Sequence, residues 1–377
     1  GAIDSSGVEL GGPGYFVLQA GNIIDLGNSK GAQTFGNARN SLLSDEGADL
    51  ILVSGYTKSF AAEDISAFFQ ELRAAGNEYS ELLAQGESGK AADRVRQARE
   101  EVITPFLTES AEDGTGVITM TSSQVSTNAP GSDVYVLAKG SVDVGKSSIE
   151  LDKTKAKQNS RKTGIFTSQG GGINIYSGND LNVNESKVMT FFGGDITVWS
   201  EGDINAGRGS RTAVSASPPS AVYDPITREY VFKFDPPAVG SGIRAVTYDP
   251  NITPGGTLAT PAPGNIYLFA PQGVIDAGEA GIAGGRVVLG ATEVLNARNI
   301  SFSVGSVGVP ASSDASVSLG ALTGSSALTE NNKMIEQTAL GAAKSLSDSV
   351  ADKVSQLMSG WLDVKVISFD EEEERKE

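Results

Sequence analysis

The chain contains no cysteine and no histidine in 377 residues. Without cysteine it can form no disulfide, no thiolate metal site and no cysteine nucleophile. Without histidine it lacks the commonest general base and the commonest metal ligand, so Ser-His-Asp hydrolysis and histidine-bound zinc cannot be built from it. Any catalysis would fall to carboxylates, Lys, Tyr or a bound ion, and no cofactor is expected. No run of 18 apolar residues occurs, so no transmembrane segment is expected. Charge is sparse and one-sided: charged residues make up 20%, and the formal net charge is −17. With no broad basic patch, nucleic acid is not an expected partner, because phosphate binding needs clustered Lys and Arg. The chain opens "GAIDSSGVELGG", with neither an initiator Met nor a secretory signal, and reads as a fragment of something longer.

Glycine is plentiful, at 46 residues, and it punctuates a repeated phrase. The clearest copies are "GGINIYSGNDLNVN" from Gly171 and "GGDITVWSEGDINAG" from Gly193. The others are "GYFVLQAGNIIDLG" from Gly14, "DVYVLAKGSVDVG" from Asp133, "GNIYLFAPQGVIDAG" from Gly264 and "GGRVVLGATEVLNAR" from Gly284. Each reads as a short alternating strand, a small-residue corner and a second short strand. A unit of about 20 residues cannot bury a core alone and must stack on its own copies, which predicts a solenoid. Its inward positions are the alternating apolar ones: Ile173, Ile175, Ile196, Val198, Ile266 and Leu268.

One column sets the phase of the repeat. Asp25, Asp143, Asn182, Asn205, Asp276 and Asn296 each follow an apolar residue near the end of a copy. Asn182 and Asn205 are 23 apart, and Asp276 and Asn296 are 20 apart. Asp and Asn suit turns because their side chains bond nearby backbone groups and tolerate left-handed dihedrals. Half the column is amide, so the turn reading is preferred to a row of metal or catalytic carboxylates.

The rungs are interrupted. Residues 1–56 read as the first rungs and 57–107 as a helical insertion, with Ala61, Ile65, Phe68, Phe69 and Leu72 on one face and Ala91, Val95, Ala98 and Val102 on another. This insertion is expected to project from the solenoid, with its apolar faces packing on each other or on the rungs, and to be dispensable. Arg94, Arg96 and Arg99 are expected on a solvated helix face balanced by Glu100 and Glu101. Rungs continue over 108–207, broken by a basic stretch, "DKTKAKQNSRKTG" from Asp152, read as an exposed loop. A proline-rich aromatic insertion occupies 208–263 and rungs return over 264–322. Residues 323–377 read as a C-terminal cap: a helix near 335–358, a strand from Trp361 to Phe369, and a charged tail. The proline-rich insertion carries Tyr223, Tyr230, Phe232, Phe234 and Tyr248. They are read either as packing for the loop or as a candidate contact for a glycan or a protein partner.

Glycine-led rungs, a proline-rich interruption and the ending "WLDVKVISF", in that order, resemble the C-terminal portion of filamentous-haemagglutinin-family exoproteins. The resemblance covers roughly residues 164–369 well and the earlier part more loosely. It implies an all-β solenoid, a right-handed parallel β-helix, here with the helical and proline-rich insertions and a helix-plus-strand cap. It also implies export by an outer-membrane two-partner secretion transporter and a place outside or on the surface of a Gram-negative cell. No catalytic residues come with it. The expected function is a structural or adhesive rod that mediates adhesion, aggregation or filament and matrix formation, with a protein or glycan at a cell surface as partner. The alternative is a carbohydrate-active β-helix enzyme, a polysaccharide lyase or glycosidase, for which stacking could gather Asp180, Asp195 and Asp203. Calcium is a weaker candidate. "DLNVNE" from Asp180 alternates oxygen ligands, but Phe191 stands where a calcium loop has its distal Glu. The N-terminal rung lacks a visible cap, and self-association through that open edge is expected, since an unpaired rung invites another chain.

Overall fold

Each rung is three short strands separated by corners. Strands β1 (Gly7–Gly11), β2 (Gly14–Ala20) and β3 (Ile24–Gly27) make the first rung. Strands β4 (Gly31–Phe35), β5 (Ala48–Ser54) and, after a helical segment, β6 (Ile118–Met120) make the second. The third is β7 (Gln124–Thr127), β8 (Val134–Ala138) and β9 (Val142–Val144), and the fourth is β10 (Gly164–Thr167), β11 (Ile173–Ser177) and β12 (Leu181–Asn182). The fifth is β13 (Lys187–Phe191), β14 (Ile196–Ser200) and β15 (Ile204–Asn205). A separate antiparallel pair follows, β16 (Ser220–Asp224) with β17 (Glu229–Lys233). Strand β18 (Gly242–Val246) then begins the sixth rung and the long β19 (Ile266–Asp276) completes it. Strand β20 (Ile282–Leu295) bends through all three sides of the next, and β21 (Ile300–Val307) covers two sides of the one after it.

All strands but β16 and β17 belong to one 19-stranded sheet. Its pairings are parallel and fall into three columns; in the second, β2, β5, β8, β11, β14, β19 and β20 succeed one another. This is a parallel β-helix. The computed structural model describes residues 7–37, 42–107, 115–145, 163–208, 220–224, 229–233, 241–247 and 260–310. The chain divides into two compact units, Gly1–Gly320 and Ala321–Glu377. The second unit, with the C-terminal cap read from the sequence, lies outside the described residues, as does the basic stretch up to Lys162.

The interior is a set of aligned ladders. Val134, Ile173, Ile196, Ile266 and Val287 stack in register, and so do Val136, Ile175, Val198, Leu268 and Leu289. Nearly all are fully buried in one continuous cluster, so the inward positions read from alternation are the observed ones. Polar residues at the strand ends turn inward too, where they satisfy the corners. Thr127, Thr167 and Thr190 donate to the carbonyls of Ser132, Gly171 and Gly194. Ser54 donates to the Asn22 carbonyl at 3.0 Å and Ser177 to that of Asp180 at 2.9 Å. These five buried hydroxyls are tolerable because they are paired in this way.

The segment between β5 and β6 differs from its expected form. Helix α1 (Ala62–Ala84) is continuous, and Glu63 and Asp64 in its first turn suit the helix dipole. It ends at Gly86, whose φ of 78° is left-handed, with Glu87 N–H bonded to the Leu82 carbonyl at 2.9 Å. Helix α2 (Ser88–Gln97), a π-helical turn at Ala98–Ile103 and α3 (Thr104–Leu107) follow. The wider π turn aligns residues five apart, and both Ala98 and Ile103 are buried. The helices do not project, but their apolar faces pack on the rungs as the pattern allowed. They lie across the outer face of the second column, where Ile65, Phe68, Phe69 and Leu72 cluster with Ile51, Val53, Tyr135, Tyr176, Trp199 and Phe269. Gly76 sits where α1 comes closest: a Cβ there would be 3.0 Å from the Phe269 ring and 3.2 Å from that of Tyr267. The arginines also differ from expectation. Arg94 pairs with Glu78, and Arg99 reaches across to Glu201 of the solenoid at 2.9 Å. Arg96, bound to Asp93 at 2.9 Å and 3.9 Å from Glu100, keeps the solvated role.

Two substitutions test these layers. Ile196→Asp places a carboxylate between Ile173 and Ile266 and should cost about 4 kcal/mol or more; an unchanged urea midpoint would contradict an interior position. Excising residues 57–106 should yield a protein that binds hydrophobic dye and aggregates, and Phe69→Ala should lose about 3–4 kcal/mol. A deletion as soluble and stable as the parent would show that the cover is not structural.

Candidate functional site

The carboxylates available for sugar chemistry are engaged with the backbone. Asp180 accepts from the Asp203 N–H at 2.8 Å, and Asp203 in turn accepts from the Val274 N–H at 2.7 Å. Asp195 stands at a different corner, where it accepts from the Asn265 N–H at 2.7 Å and lies 3.7 Å from Arg73. Each thus holds an amide of the following rung, just before β15 for Asp180, just before β19 for Asp195 and within β19 for Asp203. The same device recurs beside β5, β8 and β11: Asp49 accepts from the Asp133 N–H at 2.8 Å and Asp133 from the Gly172 N–H at 2.6 Å. That second ladder was legible as the Asp or Asn that opens "DLILVS", "DVYVLA", "DITVWS" and "NIYLFA", though its role was not. Among the described residues no group of three or more acidic side chains could hold a metal ion.

The Asp and Asn column serves turns and stacking together. Asp25, Asn205 and Asp276 accept from the N–H two residues on, at 2.9, 2.8 and 2.7 Å. Asn182 donates to Asp143 at 3.0 Å and Asn296 to Asp276 at 2.6 Å, from one rung to the next. Mixing amides among the acids lets an N–H donor meet a carboxylate, where a column of acids alone would repel itself.

The aromatics of the proline-rich insertion are only partly placed. Strands β16 and β17 set Tyr223 opposite Tyr230 and Phe232 opposite Ala221. Phe234 and Tyr248 lie outside the described residues. A larger aromatic array was missed by the sequence reading: Tyr135, Tyr176, Trp199, Tyr267 and Phe269 point away from the core beneath α1. Its signal is the unbroken apolar run in "VYVLA" and "IYLFA", which means that both faces of the sheet are covered there.

The first rung is the most open apolar surface. Val8 and Leu10 stack on Ala32 and Thr34, both fully buried, yet they are 50% and 36% exposed themselves. Phe16, Leu18 and Leu26 face the same interior and are only half-buried. Among the described residues no strand pairs with the outer edge of β1, β2 or β3. Tyr15 and Val17, on the outward side of β2, are 47% and 44% exposed because α1 begins one rung further along.

Burial shifts a lysine and an aspartate besides several tyrosines. Lys187 is buried on the outer side of the first column, with its ammonium 5.8 Å from the Phe166 ring centre, and desolvation pulls the amine down to about 8. Burial pushes the Asp49 carboxyl up to about 6, with the neighbouring Asp133 charge adding to the shift. Between about pH 4 and 6 the folded chain therefore holds a proton that the unfolded chain has lost, and stability falls as pH rises through that window. Asp49→Asn keeps the acceptor for Asp133 and removes the charge. It should gain about 1 kcal/mol at pH 7, after discounting for solvent screening, and nothing at pH 4. Equal urea midpoints for the two proteins across this range would refute the assignment.

Residues 193–311 match the family model described as "Filamentous haemagglutinin family outer membrane protein". No curated protein and no solved structure matches the chain. The matched segment begins at the corner before β14 and runs through the proline-rich interruption to the end of β21. It is the stretch in which glycine-led rungs and their interruption carried the resemblance, and it supports a cell-surface exoprotein in general. Over residues 193–311 the chain is similar to the filamentous haemagglutinin family.

Proposed function

We propose that this chain is a β-helical segment of a cell-surface exoprotein that acts through adhesion, aggregation or matrix formation. The family match over residues 193–311 is the observation that carries the reading. The fold supports it, because a parallel β-helix is a scaffold for presenting surfaces. The use of Asp180, Asp195 and Asp203 as backbone acceptors supports it further, since these three are engaged in holding rungs together. The reading includes export through an outer-membrane two-partner secretion transporter and a place outside a Gram-negative cell. The division at residues 56, 107, 207, 263 and 322 goes with it, as rungs interrupted by two insertions and closed by a terminal cap. Tyr223, Tyr230, Phe232, Phe234 and Tyr248 belong to it as the candidate glycan or protein contact. Deleting the gene from cells that carry the full-length protein should reduce adhesion or aggregation. Unchanged adhesion, aggregation and surface architecture would count against the proposal, and cleavage of a polysaccharide by the purified protein would favour the enzyme.

The open first rung supports self-association. An apolar interior that ends half-exposed, beside three unpaired strand edges, favours pairing with another chain. The isolated chain should associate through residues 7–27 or fray there. A strict monomer by sedimentation, with those amides as protected from hydrogen exchange as β14, would sink the idea.

A further inference from the structure

We infer that α1 is a longitudinal clasp: it makes successive rungs of this β-helix open as one unit, and it closes only after the rungs it spans have formed. In an ordinary solenoid each repeat touches only its neighbours, so stability is a sum of local terms and ends can open independently. Here one helix touches many rungs. Ser66 Oγ lies 3.2 Å from the Tyr135 hydroxyl on β8. Arg73 donates to Asn174 on β11 at 2.9 Å and to Thr197 on β14 at 3.1 Å. Asn77 accepts from the Tyr267 hydroxyl on β19 at 2.8 Å. The Tyr79 hydroxyl donates to the Leu289 carbonyl on β20 at 3.1 Å, and Arg286 donates to Ser80.

The dimensions agree. From Ser66 to Ser80 the helix climbs about 21 Å at 1.5 Å per residue. The strand spacings from β8 to β20 come to about 19 Å at 4.8 Å each. Helix and stack share one pitch, so side chains along α1 meet successive rungs without slippage. Opening any one of these rungs also breaks part of the clasp, which adds coupling between rungs that do not touch.

The order of closure follows from the chain. The helix is made by residues 62–84, but its seat is made by residues up to 289; Tyr79 and Leu289 are 210 residues apart. Before that seat exists, Ile65, Phe68, Phe69 and Leu72 have only nearby residues such as Ile51, Val53, Ile103 and Phe106 to pack on. The stretch from Arg73 to Ser80 lacks its partners on β11 to β20, and a helix gains most of its stability from such packing. Closing so long a separation is slow compared with local rung addition.

Hydrogen exchange by mass spectrometry, on the full chain across a urea series, tests this. In the wild type, peptides from α1, β8, β11, β14 and β19 should share one denaturant dependence. In Leu72→Asp, α1 should exchange at least ~100-fold faster and the rungs should separate into distinct steps. In pulse labelling during refolding, α1 should gain protection with or after β19. Wild-type α1 opening at lower urea than the rungs beneath it, rungs that already open in separate steps, or α1 protected ahead of β19 would each overturn the inference. These readouts need only the wild type, so they stand even if Leu72→Asp fails to fold.

Discussion

A rung of this protein has no core of its own. Three strands of a few residues enclose too little apolar surface to offset the entropy of ordering them, so each rung depends on the register it keeps with its neighbours. Ile173 under Ile196 under Ile266 shows how the constraint works. A slip of one residue would turn every interior Ile and Val outward. Much of the sequence serves to prevent that slip: glycine at corners, Thr and Ser hydroxyls turned in to meet corner carbonyls, and Asp or Asn side chains that tie one rung to the next.

The same constraint explains why this acidic chain carries no visible catalytic centre among its described residues. Stacking does bring carboxylates near one another, as the sugar-cleaving alternative requires. Asp180 and Asp203 are then met by an amide from the following rung, that of Asp203 and that of Val274. A carboxylate that fixes the register of a strand cannot move to serve a substrate without loosening the rung. Juxtaposed acids on a β-helix can thus be wholly architectural, and bond partners separate the cases better than spacing does.

The outer face of the second column adds a layer that most of the repeat does not need. Where strands read apolar on both sides, something must cover the second side, and here that cover is a helical hairpin inserted between β5 and β6. Trp199 stacks with Phe269 at 5.6 Å between ring centres, and Tyr79 meets Phe269 edge-on at 5.4 Å. Arg73 enters this apolar layer because Asn174 and Thr197, both buried, offer it hydrogen-bond partners. Asn174 and Thr197 depend on Arg73 for these bonds in a buried layer, whereas Arg73 also faces Asp195 and keeps a partly exposed side chain.

The sequence by itself determined the solenoid, its phase and its inward residues. Alternation with a period of two and glycine at a recurring interval leave few other ways to bury Ile196 or Leu268. It also determined which chemistries were out of reach, because a missing histidine or cysteine is missing in every fold. It did not determine where the helical segment would lie. The amphipathic pattern of residues 61–72 shows that one face must be covered and says nothing of by what; the seat is assembled from strands as distant as β20. Nor did it decide the role of Asp180, Asp195 and Asp203, or send Arg99 to Glu201 rather than to its helical neighbours. Those outcomes depend on which groups lie 3 to 4 Å apart once distant rungs stack, and a linear pattern does not contain that distance.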